Sequence, residues 1–293
     1  MPRNVDTVTI FDGPFIGSEA LRAGLVRKHQ LRANFRAVLP DVYVALDISP
    51  GLVDRARAAW LWSHRQGVLA GITAAALHGA KWVDECAPIQ LVWTNARSPR
   101  GVRTFAMSLQ PNEIGQVYEL PVTTPERTAF DIGRTPGIGR AVARLDSLAR
   151  ATELKVRDVE EVAAQHRGAR GLRQLERVLP MVDAGSQSPK ETWLRLLLID
   201  AGLPRPQTQI PVVGPTGYPF AYLDMGWAEW MVAVEYDGDQ HRSDRAQYVK
   251  DIRRIAELER MGWIIVRVVA EDRPSEILRR VRAAIASSQA TLR

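Results

Sequence analysis

Residues Trp263–Val269, WIIVRVV, constrain this chain more than any other stretch. The run is largely β-branched with no polar alternation, so it is expected to be a strand buried on both faces. The flanking sequence supplies an α/β setting for it. Ser188 with Glu191 three residues on has capping-box spacing, and opens a helix through TWLRLLLIDAG that stops at Gly202 and Pro204. Gln209–Val213, Tyr218–Met225 and Met231–Gly238 read as three strands, separated by the turn GPTG and by a short turn at Trp227–Trp230. From Ser243 to Met261 the spacing predicts a long amphipathic helix with Val249, Ile252, Ile255 and Leu258 on its apolar side, and a last helix starts at Pro274. The expected fold class is α/β, with an αβββαβα module over 190–293.

The front of the chain reads differently. Residues 18–46 suggest two short helices and the strand VYVAL, the first helix capped by Ser18 and ended by Gly24, the second starting near Val26 and passing Leu31 and Phe35. That is the outline of a small winged helix over 1–46, with Arg27, Lys28, Arg32 and Arg36 on or beside its second helix as candidate nucleic-acid contacts. An α/β middle domain is expected over 47–181, with helices at Gly51–Gly67, Ile72–Ala80 and in TTPERTAFDIG, where Pro125 suits a first turn. VDAGSQSP, 182–189, is the expected linker.

A chain of 293 residues suits two domains. The single cysteine, Cys86, excludes an internal disulfide and a thiolate zinc cluster. No apolar run nears the ~20 residues of a membrane helix, and the first residues carry no signal-peptide pattern, so a cytoplasmic location is expected. Charge is unevenly placed within a net +6. Between Pro206 and His241 there is no Lys or Arg, while Asp224, Glu229, Glu235, Asp237 and Asp239 fall there. Residues 241–293 then hold twelve Lys/Arg against seven Asp/Glu. An acidic patch beside a basic stretch suits a metal site next to a phosphate-binding surface, with Arg242 and Arg245 as candidate contacts; ordinary surface charge is the plain alternative.

Asp224 and Glu235 end two neighbouring strands. In an antiparallel hairpin their carboxylates converge on one sheet edge, where charge after apolar runs is costly unless paired or bound to metal. Asp237, two residues after Glu235, shares its face, and His241 returns from the loop after Gly238. Such oxygen-rich donors suit Mg²⁺ or Mn²⁺.

VEYDGDQH (234–241), DIRR (251–254) and GWIIVRV (262–268), with LDMGW and the opening SPKETWLRLLLIDAGLPRPQTQ, resemble the domain-of-unknown-function family numbered 559. That family is related to very-short-patch-repair (Vsr) endonucleases and the PD-(D/E)XK restriction-endonuclease-like fold. The resemblance implies a metal-binding role for Asp224 and Glu235, a histidine assisting water or phosphate at His241, and a completing carboxylate at Glu191. It also implies that Asp251 and Arg254 face the site from a helix. Asp237 stands where most PD-(D/E)XK enzymes keep a lysine, and Tyr222 where an arginine is common. Over roughly 15–180, VYVAL, ITAAALHGA and PVTTPERTAFDIG resemble AbiEi-type antitoxins, which implies DNA binding and a toxin or defence-system partner.

The expected activity is Mg²⁺-dependent hydrolysis of DNA phosphodiesters, in defence or repair. The alternative is a non-catalytic DNA-binding regulator or antitoxin that retains the nuclease fold. No base-reading element separates DNA from RNA. Three site residues also have plain structural readings: Glu191 as a helix cap, Asp237–Gly238 as a turn pair, and Asp251–Arg254 as a helical i, i+3 pair.

Overall fold

The computed structural model describes residues 11–95, 97–214, 217–238 and 245–291, with backbone only at 245–249 and 291. The chain is mixed α/β and divides into two compact units, 1–135 with 151–172, and 136–150 with 173–293. No helix among the described residues is long and apolar enough to cross a membrane.

In the first unit, β1 (Phe15–Ile16), α1 (Gly17–Arg22), α2 (Lys28–Asn34), β2 (Phe35–Leu39) and β3 (Val42–Ala45) form two short helices against an antiparallel sheet ordered β1-β3-β2. Phe15, Ala20, Val26, Leu31 and Phe35 make the core between them. Two local expectations shift. Ser18 lies inside α1, and its hydroxyl donates to Asp41 at 2.5 Å rather than capping the helix. Arg36 is a strand residue whose guanidinium donates to the Ile48 carbonyl at 2.9 Å, because α2 stops at Asn34 and the chain becomes extended at Phe35.

The rest of that unit has α3 (Leu52–Trp62), β4 (Val68–Leu69), α4 (Gly71–Leu77), β5 (Ile89–Val92), β6 (Val102–Phe105), β7 (Ile114–Val117), β8 (Leu120–Thr123), α5 (Pro125–Gly133) and α7 (Val156–Gln165). Its strands form a five-stranded mixed sheet, ordered β6-β5-β4-β8-β7. Thr124 caps α5 by accepting from the Arg127 amide, and Pro125 takes the first helical position. Arg127 is buried. Its guanidinium donates to Glu113 at 2.5 Å and to Asp131 at 2.9 Å, and the His166 ring meets Glu113 at 2.5 Å. Arg127 and Asp131 of PERTAFD are thus absorbed by a paired network that satisfies a buried guanidinium.

The second unit takes α6 (Ile138–Thr152) through Arg150, then α8 (Leu172–Val178) from Arg173, and α9 (Pro189–Asp200). Next come β9 (Gln207–Val213), β10 (Pro219–Trp227), β11 (Val232–Tyr236), α10 (Arg245–Arg260), β12 (Ile264–Val268) and α11 (Pro274–Thr291). The order αβββαβα expected after 188 is present. Its sheet runs β12-β11-β10-β9, antiparallel across β9, β10 and β11 and parallel between β11 and β12. One face packs Leu194, Leu198, Met225, Trp227, Val232, Val234 and Val266 with Ile277 and Val281; the other packs Ile210, Ala221, Leu223 and Ala233 with Leu258 and Trp263.

Three readings need correction here. WIIVRVV sends apolar side chains to both faces, yet β12 is an edge strand and Ile264 and Ile265 are only partly buried. In α10, Leu258 is buried but Ile252 is 49% exposed and Ile255 half-buried, because the helix turns Asp251 and Arg254 toward the sheet instead. Residues 182–189 do not separate units. The Asp183 carboxylate accepts from the Thr208 hydroxyl while its amide donates to Asp146, and buried Ser186 accepts from Arg195, so the stretch is bonded into the second unit. Arg195, fully buried, also pairs with Asp146 of α6 at 2.7 Å, which is why α6 belongs there too.

Candidate functional site

The β10–β11 pairing places Met225 opposite Val234, Gly226 opposite Ala233 and Trp227 opposite Val232. The next residues outward are Asp224 and Glu235. Along β10 the alternation breaks at Asp224: Ala221 and Leu223 pack with Leu258 on one face, while Met225 and Trp227 pack with Leu194 and Val281 on the other. Gln209, opposite Asp224 in the β9–β10 register, has φ of 50°, so the irregularity spans both strands. Tyr236 turns its amide onto the Asp224 side chain, donating to Oδ2 at 3.0 Å.

Asp224 is held up at a pKa of about 7. Burial is the main cause, the negative charges of Glu191 and Glu235 add to it, and the Tyr236 amide and Arg254 only partly oppose it. Glu191 enters from the first turn of α9. Ser188 caps that helix by accepting from the Glu191 amide at 3.1 Å, and the Glu191 carboxylate in turn accepts from the Gln187 amide at 2.8 Å. The Ser188 cap read in the sequence is present, but the box is not closed, because the Glu191 carboxylate takes the Gln187 amide instead of the Ser188 amide; the same carboxylate reaches Asp224 electrostatically. Burial pushes the Glu191 carboxyl upward as well. Among the described residues, each of these two carboxylates has one oxygen bonded to a backbone amide and none bonded to a cation.

Glu235 is in a different state. Both its oxygens accept from Arg254, at 2.8 and 2.9 Å, a two-pronged pair between a buried carboxylate and a helix guanidinium. Arg254 also donates to Asp251 one turn earlier, at 2.9 and 3.1 Å. Arg267 of β12 pairs with Asp237 and approaches Asp251 at 3.6 Å. The result is an alternating chain, Glu235–Arg254–Asp251–Arg267–Asp237. These pairs, the one to Glu235 foremost, hold the Arg254 guanidinium more firmly protonated than usual.

The structure therefore gathers Glu191, Asp224, Glu235, Asp237, Asp251 and Arg254 in one neighbourhood of the second unit. Among the described residues no three His, Cys, Asp or Glu side chains form a group spaced to hold a metal ion. His241 and Arg242 lie outside the described residues, and Arg245 is described only as the first residue of α10. Arg27, Lys28, Arg32 and Arg36 belong to the first unit. Arg267 is a member that sequence reading missed. Its signal was available, as the one charge inside WIIVRVV, where a strand side chain needs a partner.

Two relatives in Mycobacterium tuberculosis are similar to the chain, Uncharacterized protein MT2308 of strain CDC 1551 / Oshkosh and Uncharacterized protein Rv2248 of strain ATCC 25618 / H37Rv. Each is 29% identical over 231 residues, which span 79% of this chain and 84% of the relative. No family model matches the chain. No solved structure matches it.

Proposed function

We propose that the second unit is a restriction-endonuclease-like, divalent-metal-dependent endonuclease that hydrolyses DNA phosphodiesters. One observation carries this reading: Asp224 and Glu191 lie close enough to raise the Asp224 pKa, yet neither bonds to a cation among the described residues. Two such carboxylates suit Mg²⁺ or Mn²⁺, which needs only one or two protein oxygens when substrate phosphate and water complete its shell. A cation held by Asp224 and Glu191 would supply Lewis-acid polarisation of the phosphoryl group and a more acidic water. The chain's own residues do the rest. The Tyr236 amide aims the Asp224 carboxylate, the capping contacts fix Glu191, and Arg254 sets positive charge beside Glu235 to balance a phosphate.

A second reading has an observation of its own. With both oxygens of Glu235 taken by Arg254, a third carboxylate is neutralised without metal, as a DNA-binding regulator or antitoxin that keeps the fold without turnover would have it. Purified protein incubated with supercoiled DNA and Mn²⁺ separates the two. The nuclease reading expects nicking that EDTA stops and that Asp224→Ala lowers by at least about a hundredfold. DNA binding without nicking, unchanged in Asp224→Ala, would establish the regulator.

A further inference from the structure

Beside the carboxylates lies an open groove of about 390 Å³, lined by Phe220, Lys250, Asp251, Arg253, Arg254 and Glu257. Three features give it a chemical character. First, β10 carries an irregular step between Pro219 and Ala221 in its pairing with β9, so Phe220 is the extra residue of a bulge, and bulges re-aim side chains. Phe220 is 40% exposed, and its ring lies against Gly214, where an added Cβ would come 3.4 Å from Phe220 Cδ1. Second, the groove's acids are already matched, Asp251 by Arg254 and Glu257 by Arg260. Third, Lys250 and Arg253 are exposed and form no ion pair among the described residues. An apolar ring face and two exposed cations thus share one groove, whose wall residue Arg254 is the partner of Glu235.

We propose that this groove seats one unpaired nucleotide of a nucleic-acid strand, its base on Phe220 and its flanking phosphates on Lys250 and Arg253. The ring selects an unpaired nucleotide because a stacked, paired base has no free π-face to offer, whereas a splayed base does. The volume is in the range of small-ligand sites and suits one nucleotide rather than a helix. The proposal deepens the nuclease reading by naming the strand state it acts on, and it rests on nucleic-acid binding by the second unit.

Fluorescence anisotropy in EDTA tests it without cutting, using a labelled single-stranded oligonucleotide and a hairpin duplex, with full-length protein whose fold is checked by circular dichroism. Phe220→Ala is expected to weaken single-strand binding at least about fivefold, the low end for loss of one base stack, while duplex affinity stays within about twofold. Phe220→Trp is expected to restore it. Lys250→Gln with Arg253→Gln is expected to reduce the salt slope of single-strand binding by about 1.4, for two phosphate contacts. Unchanged single-strand affinity in Phe220→Ala, equal weakening of both substrates, or no binding by the wild type overturns the groove. Single-strand binding that depends on Phe220 without nicking in Mn²⁺ supports the groove and sinks the nuclease reading instead.

Discussion

Above about pH 7 Asp224 carries a charge that its burial and its neighbours Glu191 and Glu235 oppose. Because its folded value lies above the ordinary carboxylate range, the stability it contributes is complete below about pH 4 and is lost as pH rises through about 7. Asp224→Asn is therefore expected to melt higher than wild type at pH 8 in EDTA, with the difference vanishing toward pH 4. A proton must leave before a cation binds, so the Mn²⁺-induced rise in melting temperature should grow from pH 6 to 8 in wild type and be absent in the variant. A pH-independent Mn²⁺ shift would remove Asp224 from the ligand set. Arg254 makes the complementary case. Arg254→Gln leaves buried Glu235 without its two-pronged partner and should cost about 3 kcal/mol by denaturant unfolding. Mn²⁺ should return part of that loss, and Glu235→Gln in the same chain should return most of it. A fully additive double variant would mean that the pair has no energetic coupling.

At the scale of elements, the site depends on how closely β10 and β11 approach. Gly226 permits that approach: a Cβ there would sit 2.2 Å from the Val232 carbonyl oxygen and 2.8 Å from the Ala233 Cα. Both are backbone atoms with no rotamer to yield. Gly226→Ala is thus expected to destabilise the second unit by more than about 2 kcal/mol and to lower any Mn²⁺ response, read by thermal melts with and without metal. An unperturbed melt would show that the strands can part freely. Element order in this half was legible because each segment advertises itself locally: Ser188 and Pro189 start α9, Gly202 ends it, and apolar periodicity separates strands from helices. The face of α10 was not legible. Its isoleucines suggested an apolar stripe, but the buried Glu235 carboxylate on β11 made a guanidinium the more stabilising group to turn inward. The bulge at Phe220 left no mark in the sequence either, since it exists only relative to β9.

For the whole molecule, the two units interleave along the chain, and punctuation in the sequence does not mark their border. Arg195, with 0% exposure, draws on Asp146, the Met181 carbonyl and Ser186, residues that precede the Gly/Ser/Pro stretch or lie in it. A fragment of residues 190–293 would retain this guanidinium and lose all three partners. Such a fragment is expected to show no cooperative thermal transition, and Asp146→Ala in the full chain is expected to cost about 3–5 kcal/mol, read by denaturant unfolding. A fragment that melts as sharply as the full chain would make 190 a true boundary.

By itself the sequence determined the α/β class, the order of strands and helices after residue 188, and the acidic residues that could meet, because capping, periodicity and the cost of charge in apolar strands act over a few neighbours. Only the tertiary structure decided that, among the described residues, Asp224 and Glu191 take backbone amides while Glu235 and Asp237 are matched by Arg254 and Arg267. The physical reason is that ion pairing depends on which helix face and which parallel strand lie within about 3 Å of a carboxylate, and those contacts join residues from 19 to 30 positions apart.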